Sequence, residues 1–111
     1  MVKVILMVKR KQGLSLEEFV RHYEEVHAPL AIKHIPTLKK YTRNFVNHPP
    51  GAEELSFDVI TEFWYDDMEG YQKSFDFWSS EAGQVLIRDE ETFMDRDTMI
   101  GILVDERIWD I

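Results

Sequence analysis

Cysteine is absent from the 111 residues. Its absence excludes disulfides, thiolate metal sites and cysteine nucleophiles, and we expect a reducing, cytoplasmic environment. Long apolar runs are missing too: no stretch reaches the roughly 18 residues that a membrane-spanning helix needs, so we expect no membrane partner. Basic residues are few, with 13 Lys and Arg against 21 Asp and Glu and a formal net charge of −8. Because nucleic acids bind clustered cations, we expect no nucleic-acid partner.

Glycine is also scarce, with five residues, and no glycine-rich phosphate loop is present. We therefore expect no nucleotide cofactor. The histidines lack the spacing and the third ligand of a metal site, so neither a metal nor another cofactor is expected. The whole sequence is 44% hydrophobic and 31% charged, a composition typical of globular proteins. The length predicts a single domain over residues 1–111.

Four strands and two helical regions are predicted from the spacing of the apolar residues. The strands are expected at Val2–Lys9, Leu38–Asn47, Phe57–Tyr65 and Thr98–Ile108. The first helical region should begin after Ser15, which forms a capping box with Glu18, and end at Pro36. The second comprises helices at Met68–Trp78 and Ala82–Phe93, followed by a turn at Asp95–Asp97. The order β-α-β-β-α-β predicts an α+β, ferredoxin-like fold with a four-stranded antiparallel sheet.

The strands carry apolar side chains on both faces. In the first strand, Val4 and Leu6 lie on one face, and Ile5 and Met7 lie on the other. Two helical regions on one side of a sheet cover only one of these faces, and the other would be an exposed apolar patch. A second copy of the same sheet would cover it. We therefore expect a homodimer that closes into a dimeric α+β barrel.

Two histidines flank a proline in residues 24–36, EEVHAPLAIKHIP. Pro29 cannot donate a backbone hydrogen bond, so we expect the helix to kink or restart near Ala28. His27 is either a helix-end histidine bonded to backbone that the proline frees, or a group that transfers protons, with Tyr23 on the same face one turn earlier. His34 is expected to cap the end of the helix, with substrate binding as its alternative role.

Four segments resemble the EthD-domain family of the dimeric α+β barrel superfamily. They are KRKQGLSLEEFVRHYEEVHAPL (residues 9–30), IPTLKKYTRN (35–44), FDVITEFWYDD (57–67) and RDEETFMD (88–95). The resemblance implies a cofactor-free enzyme or an accessory protein of a cytochrome P450 degradation system. It also implies that His27, which matches the histidine of the family's His-Ala-Pro-Leu motif, transfers a proton.

The candidate site follows from these observations. The catalytic candidates are His27, Tyr41 and Asn44. The candidates for binding substrate are Tyr23, His34, Phe45, Glu62, Phe63, Trp64 and Trp78. Tyr41 would orient or protonate a substrate oxygen, and Asn44 needs a hydrogen bond to be stable on a central strand. Glu62 is either an acid with a raised pKa beside Trp64 or a member of a cross-strand ion pair. Asp89 is expected to have a structural role.

The sequence therefore predicts a pocket for a small hydrophobic molecule, aromatic or polyketide-like. The expected reaction is of the lyase type, namely decarboxylation, dehydration, cyclisation or isomerisation, with His27 as the acid–base group. Two alternatives stay open. One is a cofactor-independent monooxygenase, and the other is a non-catalytic accessory protein of a cytochrome P450 pathway.

Overall fold

Four strands and two helical regions follow each other in the predicted order. The structure, a computed structural model, describes residues 1–111. Its elements are β1 (Val2–Arg10), α1 (Leu16–His22), a π-helical turn (Tyr23–His27), α2 (Ala28–His34), β2 (Lys40–Phe45), β3 (Val59–Tyr65), α3 (Met68–Trp78), a 3₁₀ turn (Glu81–Gly83), α4 (Gln84–Phe93) and β4 (Met94–Val104). None of the helices has the length and apolar character needed to cross a bilayer.

The strands form one sheet in the order β2-β3-β1-β4, and every neighbouring pair is antiparallel. This is the ferredoxin-like arrangement, so the predicted fold class is confirmed. β2 and β4 lie at the two edges of the sheet. β2 is therefore an edge strand, and the expectation that Asn44 lies on a central strand is wrong.

The last strand differs from its predicted bounds. β4 begins at Met94, so the turn predicted at Asp95–Asp97 is wrong, and the strand ends at Val104 instead of Ile108. Ile100 pairs with Met7 and Asp95 pairs with Lys9, which leaves residues 96–99 as a bulge in β4. The Asp95 carboxylate accepts a hydrogen bond from the Asp97 backbone N–H at 3.1 Å. Acidic residues that favour turns here form a bulge at a sheet edge, where their side chains reach water.

The first helical region starts as predicted. The Ser15 hydroxyl accepts from the Glu18 backbone N–H, and the Glu18 carboxylate accepts from the Ser15 backbone N–H. As expected, the helix restarts near Ala28, where α2 begins, although this residue itself keeps helical φ and ψ of −62° and −43°. Its N–H donates to the Tyr23 carbonyl five residues earlier. The chain therefore widens into a π-helical turn, and Pro29 falls in the first turn of α2, where a missing donor is tolerated.

The helices cover one face of the sheet. On β3 the buried residues are Val59, Thr61, Phe63 and Tyr65, and they alternate with half-buried Ile60, Glu62 and Trp64. Buried apolar residues from β1, β3 and the helices form two core clusters on this face, around Phe19 and Leu86. We call the covered side the helix face and the other side the open face. As expected from β1, both faces carry apolar side chains.

Candidate active site

A cleft of about 280 Å³ lies on the helix face, beside β1, β3 and β4 and under α3 and α4. Most of its wall is apolar. The lining residues are Val4, Leu6, Phe63, Tyr65, Tyr71, Ser74, Phe75, Trp78, Glu90, Arg96, Met99, Gly101, Ile102 and Leu103. Tyr65 and Ser74 share a buried hydrogen bond of 2.6 Å, so their hydroxyls satisfy each other. Glu90 is the only carboxyl group and Arg96 the only basic side chain among these residues, and they define the polar end of the cleft.

Glu90 is a buried carboxylate on α4, with 3% of the residue exposed. Its Oε1 accepts a hydrogen bond from Arg96 Nε at 3.2 Å, and its Oε2 lies 3.8 Å from His27 Nε2. Burial raises the pKa of Glu90 to about 7, and the Arg96 guanidinium opposes that rise. A carboxyl group with this pKa exchanges a proton near neutral pH, which is the property of a general acid–base catalyst.

His27 lies next to Glu90 and is buried, with 2% of the residue exposed. Its Nδ1 lies 2.8 Å from Asp89 Oδ2, and His22 Nε2 lies 3.0 Å from Asp89 Oδ1. Because an ionised carboxylate only accepts hydrogen bonds, Nδ1 carries a proton and Nε2 directs its lone pair towards Glu90. Burial lowers the pKa of His27, and the hydrogen bond to Asp89 opposes this effect. Asp89 therefore sets the tautomer and orientation of the imidazole.

The π-helical turn places Tyr23 and His27 on one side of the helix, with their rings edge to face at 5.5 Å. Tyr23 is fully buried and shares a hydrogen bond of 2.6 Å with Thr61, and the Tyr41 hydroxyl donates to the Tyr23 hydroxyl at 3.4 Å. Burial raises the pKa of Tyr23 to about 12 and also raises that of Tyr41. Both phenols are neutral hydrogen-bonding groups of the core, and neither lines the cleft.

The other predicted site residues on the helical side divide into two groups. Phe63 and Trp78 line the cleft, and their role in substrate binding stays a prediction. Phe45 packs in the core beside Phe19 and Tyr23, and His34 is the last residue of α2. Neither Phe45 nor His34 is part of the cleft wall.

The sheet separates Asn44, Glu62 and Trp64 from the cleft. Asn44 pairs with Ile60, and both lie on the open face with Glu62 and Trp64, so Asn44 cannot act together with His27. Its amide donates to the Ile60 carbonyl at 2.9 Å. Glu62 forms an ion pair with Lys3 at 2.5 Å. The lysine lowers the pKa of Glu62, which is opposite to the shift expected from its tryptophan neighbour.

Sequence reasoning missed Glu90 and Arg96 as site residues. One signal for Glu90 was present, because Leu86, Glu90 and Phe93 recur at helical spacing and all three are buried. An acid on an apolar stripe is costly unless it has a partner or a function. Arg96 gave no such signal, since it falls in a segment predicted to be a turn. The structure gathers no group of three side chains suited to a metal ion.

Comparison with known proteins places the chain in a family. No curated protein matches its sequence significantly. Among solved structures, an ethyl tert-butyl ether D (EthD) family protein from Bacillus halodurans is 25% identical, with a TM-score of 0.71 over 96% of this chain and 99% of that chain. A protein from Arabidopsis thaliana is 14% identical, with a TM-score of 0.68 and complete coverage of both chains.

A dimeric ferredoxin-like protein from an uncultured marine organism is 20% identical, with a TM-score of 0.63 over 97% of this chain and 98% of that chain. The sequence model of the EthD domain matches residues 11–97. This range contains the helix with His27, the strands β2 and β3, and the acidic helix with Glu90. The chain therefore belongs to the EthD domain family.

Proposed function

We propose that this protein is a cofactor-free enzyme that moves a proton on a small aromatic or polyketide-like molecule. The reaction would be of the lyase type: decarboxylation, dehydration, cyclisation or isomerisation. The observation that carries the proposal is Glu90, a buried carboxyl group at the wall of an apolar cleft. Its pKa is raised to about 7 because it is buried. Structural carboxylates are more often exposed or paired at low pKa, whereas acid–base catalysts are tuned towards neutrality.

Glu90 is the group that reaches the substrate in this proposal, and His27 acts through it. Glu90 lines the cleft, while His27 does not and is almost completely buried. The 3.8 Å between Glu90 Oε2 and His27 Nε2 lets the two groups compete for one proton after a small movement. Asp89 holds the imidazole, and Arg96 holds the other oxygen of Glu90. His27 is thus a positioning and proton-holding residue, which refines the acid–base role expected for it.

The aromatic wall supports the substrate class. Phe63, Tyr65, Tyr71, Phe75 and Trp78 line the same cleft. Planar rings bind to such walls by burial and edge-to-face or offset stacking. A cleft of about 280 Å³ lies at the small end of ligand sites, which run from about 300 to 1,000 Å³. It therefore suits a molecule of one or two fused rings.

We also propose that the protein is a homodimer that pairs through its open face. Apolar side chains of β1 and β4 lie there side by side, including Ile5 opposite Ile102 and Met7 opposite Ile100. Ile100 and Ile102 are each more than two fifths exposed in the single chain. The structural relative from the uncultured marine organism is described as dimeric. A second copy of the same face would remove this apolar surface from water.

The test begins by incubating the protein with a panel of one- and two-ring hydroxylated aromatic acids and ketones, with mass spectrometry to detect products. On a converted compound, Glu90→Gln should lower kcat by about 100-fold to 10,000-fold, the usual contribution of acid–base catalysis. His27→Gln should lower kcat less and move the pH profile, because it changes what surrounds Glu90. Glu53→Gln, at an exposed acid in the loop between β2 and β3, is the control and should keep wild-type activity.

Full activity in Glu90→Gln would contradict the assignment. Consumption of dissolved oxygen with an anthrone substrate would instead identify a cofactor-independent monooxygenase. A protein that binds compounds from the panel but converts none of them would act as an accessory or ligand-binding protein.

A further inference from the structure

Arg96 is the only basic side chain in the wall of the cleft. Its Nε donates to Glu90, but its two terminal amino groups donate to no other protein group. The side chain is 40% exposed, so these donors remain open to a molecule that enters the cleft. A guanidinium presents its donors in a planar fork that matches both oxygens of a carboxylate. Arg96 thus has free hydrogen-bonding capacity at the polar end of an otherwise apolar site.

The bulge in β4 explains why an arginine reaches this place. Residues 96–99 stand opposite a single residue of β1, because the register shifts between Met7 and Lys9. Bulges redirect side chains and are frequent beside active sites. Arg96 and Met99, at the two ends of this bulge, both line the cleft. Asp95 stabilises the irregular backbone through its hydrogen bond to the Asp97 N–H.

The charge balance of the cleft favours an anionic ligand. Glu90 is the only acidic partner of the guanidinium. Burial raises the pKa of Glu90 to about 7, so in part of the molecules at neutral pH the carboxyl group is protonated and Arg96 has no counter-charge. An uncompensated cation beside apolar walls attracts an anion more strongly than one in water. The whole chain carries a net charge of −8, whereas the cleft presents the exposed cation of Arg96.

We propose that Arg96 binds the carboxylate of the substrate, so that the ligand of this cleft is a small aromatic carboxylic acid. The inference rests on the proposed function, since it assumes that the cleft is the substrate site. It adds the chemical group that the site selects and the residue that selects it. The rings would lie against Phe63 and Trp78, and the carboxylate would meet the terminal amino groups of Arg96, beside the acid–base group.

Binding should be linked to the protonation of Glu90. The charged and titratable groups around Glu90 are Tyr23 and His27 from the π-helical turn, Tyr41 from β2, Arg96 from β4, and Asp89 and Glu91 on its own helix. An ionised Glu90 competes for Arg96 and repels a second carboxylate. Affinity for an aromatic carboxylate should therefore fall as the pH rises from 6 to 8. In Glu90→Gln this fall should disappear.

The test uses 1-naphthoate and its neutral isostere 1-naphthamide as probes, with affinities measured by isothermal titration calorimetry on the full chain. The wild type should prefer the carboxylate. Arg96→Met should weaken naphthoate binding by about tenfold to a hundredfold, the range for a charged hydrogen-bonded contact, and should weaken naphthamide binding far less, because the amide is uncharged. Arg96→Lys keeps the charge without the fork and should retain part of the preference. Naphthamide binding by Arg96→Met also shows that this variant is folded.

A variant that fills the cleft separates the two proposals. Gly101 lines the cleft, and a Cβ there would meet only Leu6 Cδ1 at 3.6 Å, so Gly101→Leu has room for its first side-chain carbon, and we expect the rest of the side chain to occupy the cleft. If Gly101→Leu weakens both probes but Arg96→Met leaves their affinity ratio unchanged, the role of Arg96 is refuted and the cleft stands. If neither probe binds, or neither responds to Gly101→Leu, the cleft is not the ligand site, and the proposed function fails together with this inference.

Discussion

Replacing Glu90 by Gln should make the folded protein more stable above neutral pH. The folded structure raises the pKa of this carboxyl group from an ordinary 4.5 to about 7, chiefly because the group is buried. At about 1.4 kcal/mol per pH unit, the ionised form costs the folded state about 3 kcal/mol relative to the unfolded chain. Gln is an uncharged isostere of the protonated acid, so it avoids this cost while it keeps an acceptor for Arg96.

The sign of the pH dependence follows from the raised pKa. The contribution of Glu90 to stability is fully present below pH 4.5, is lost as the pH rises towards 7, and is constant above that value. His27 acts in the opposite direction: burial lowers its pKa, so it reduces stability as the pH falls below 6.5. Both proteins contain His27, so the part of its pH dependence that does not involve Glu90 cancels in the difference between them. That difference should grow from near zero at pH 4.5 to about 3 kcal/mol at pH 8.

Urea denaturation followed by tryptophan fluorescence measures this difference. The free energy of unfolding is obtained by linear extrapolation at each pH from 4.5 to 8, at one protein concentration, because dimer formation would add a concentration dependence. Glu53→Gln removes an equal charge from an exposed position in the loop between β2 and β3 and corrects for the change in net charge. A stability difference that stays flat across this pH range would refute the reasoning, because Glu90 would then not be tuned by its surroundings.

Two further predictions concern packing and assembly. Gly83→Ala should destabilise the fold by about 1–3 kcal/mol, because its Cβ would lie 2.4 Å from the Phe77 carbonyl oxygen. Gly101→Ala is the control: its Cβ meets only an ordinary contact, so it should be close to neutral in the same thermal unfolding experiment. Light scattering should report about twice the 13.2 kDa chain mass for the wild type, and the monomer mass for Ile100→Lys on the open face. Ile32→Lys changes an exposed residue of a helix and should remain dimeric. A dimeric Ile100→Lys would show that the open face is not the interface.

Local features of the site were predictable and long-range ones were not. The capping box at Ser15 depends on residues three apart, and the shared face of Tyr23 and His27 depends on one helical turn. The alternation of β2 likewise puts Tyr41 and Asn44 on opposite sides. The face of the sheet that the helices cover depends on how the whole sheet packs. The helices cover the face opposite to Asn44, so this residue lies away from the cleft. Pro29 was enough to predict a restart near Ala28, whereas the π-helical turn that precedes α2 was not predicted.

The sequence by itself determined the order of elements, the family, and the strands with apolar side chains on both faces, which imply a partner surface. Each of these depends on periodicity or on motifs that are contiguous in the chain. Only the tertiary structure decided which acid sits at the cleft. Glu90, His27 and Arg96 come from α4, the π-helical turn and the bulge of β4. The pKa of a carboxyl group depends on burial and on charges within a few ångströms. Those neighbours are set by strand pairing and helix packing, which join residues far apart in the sequence.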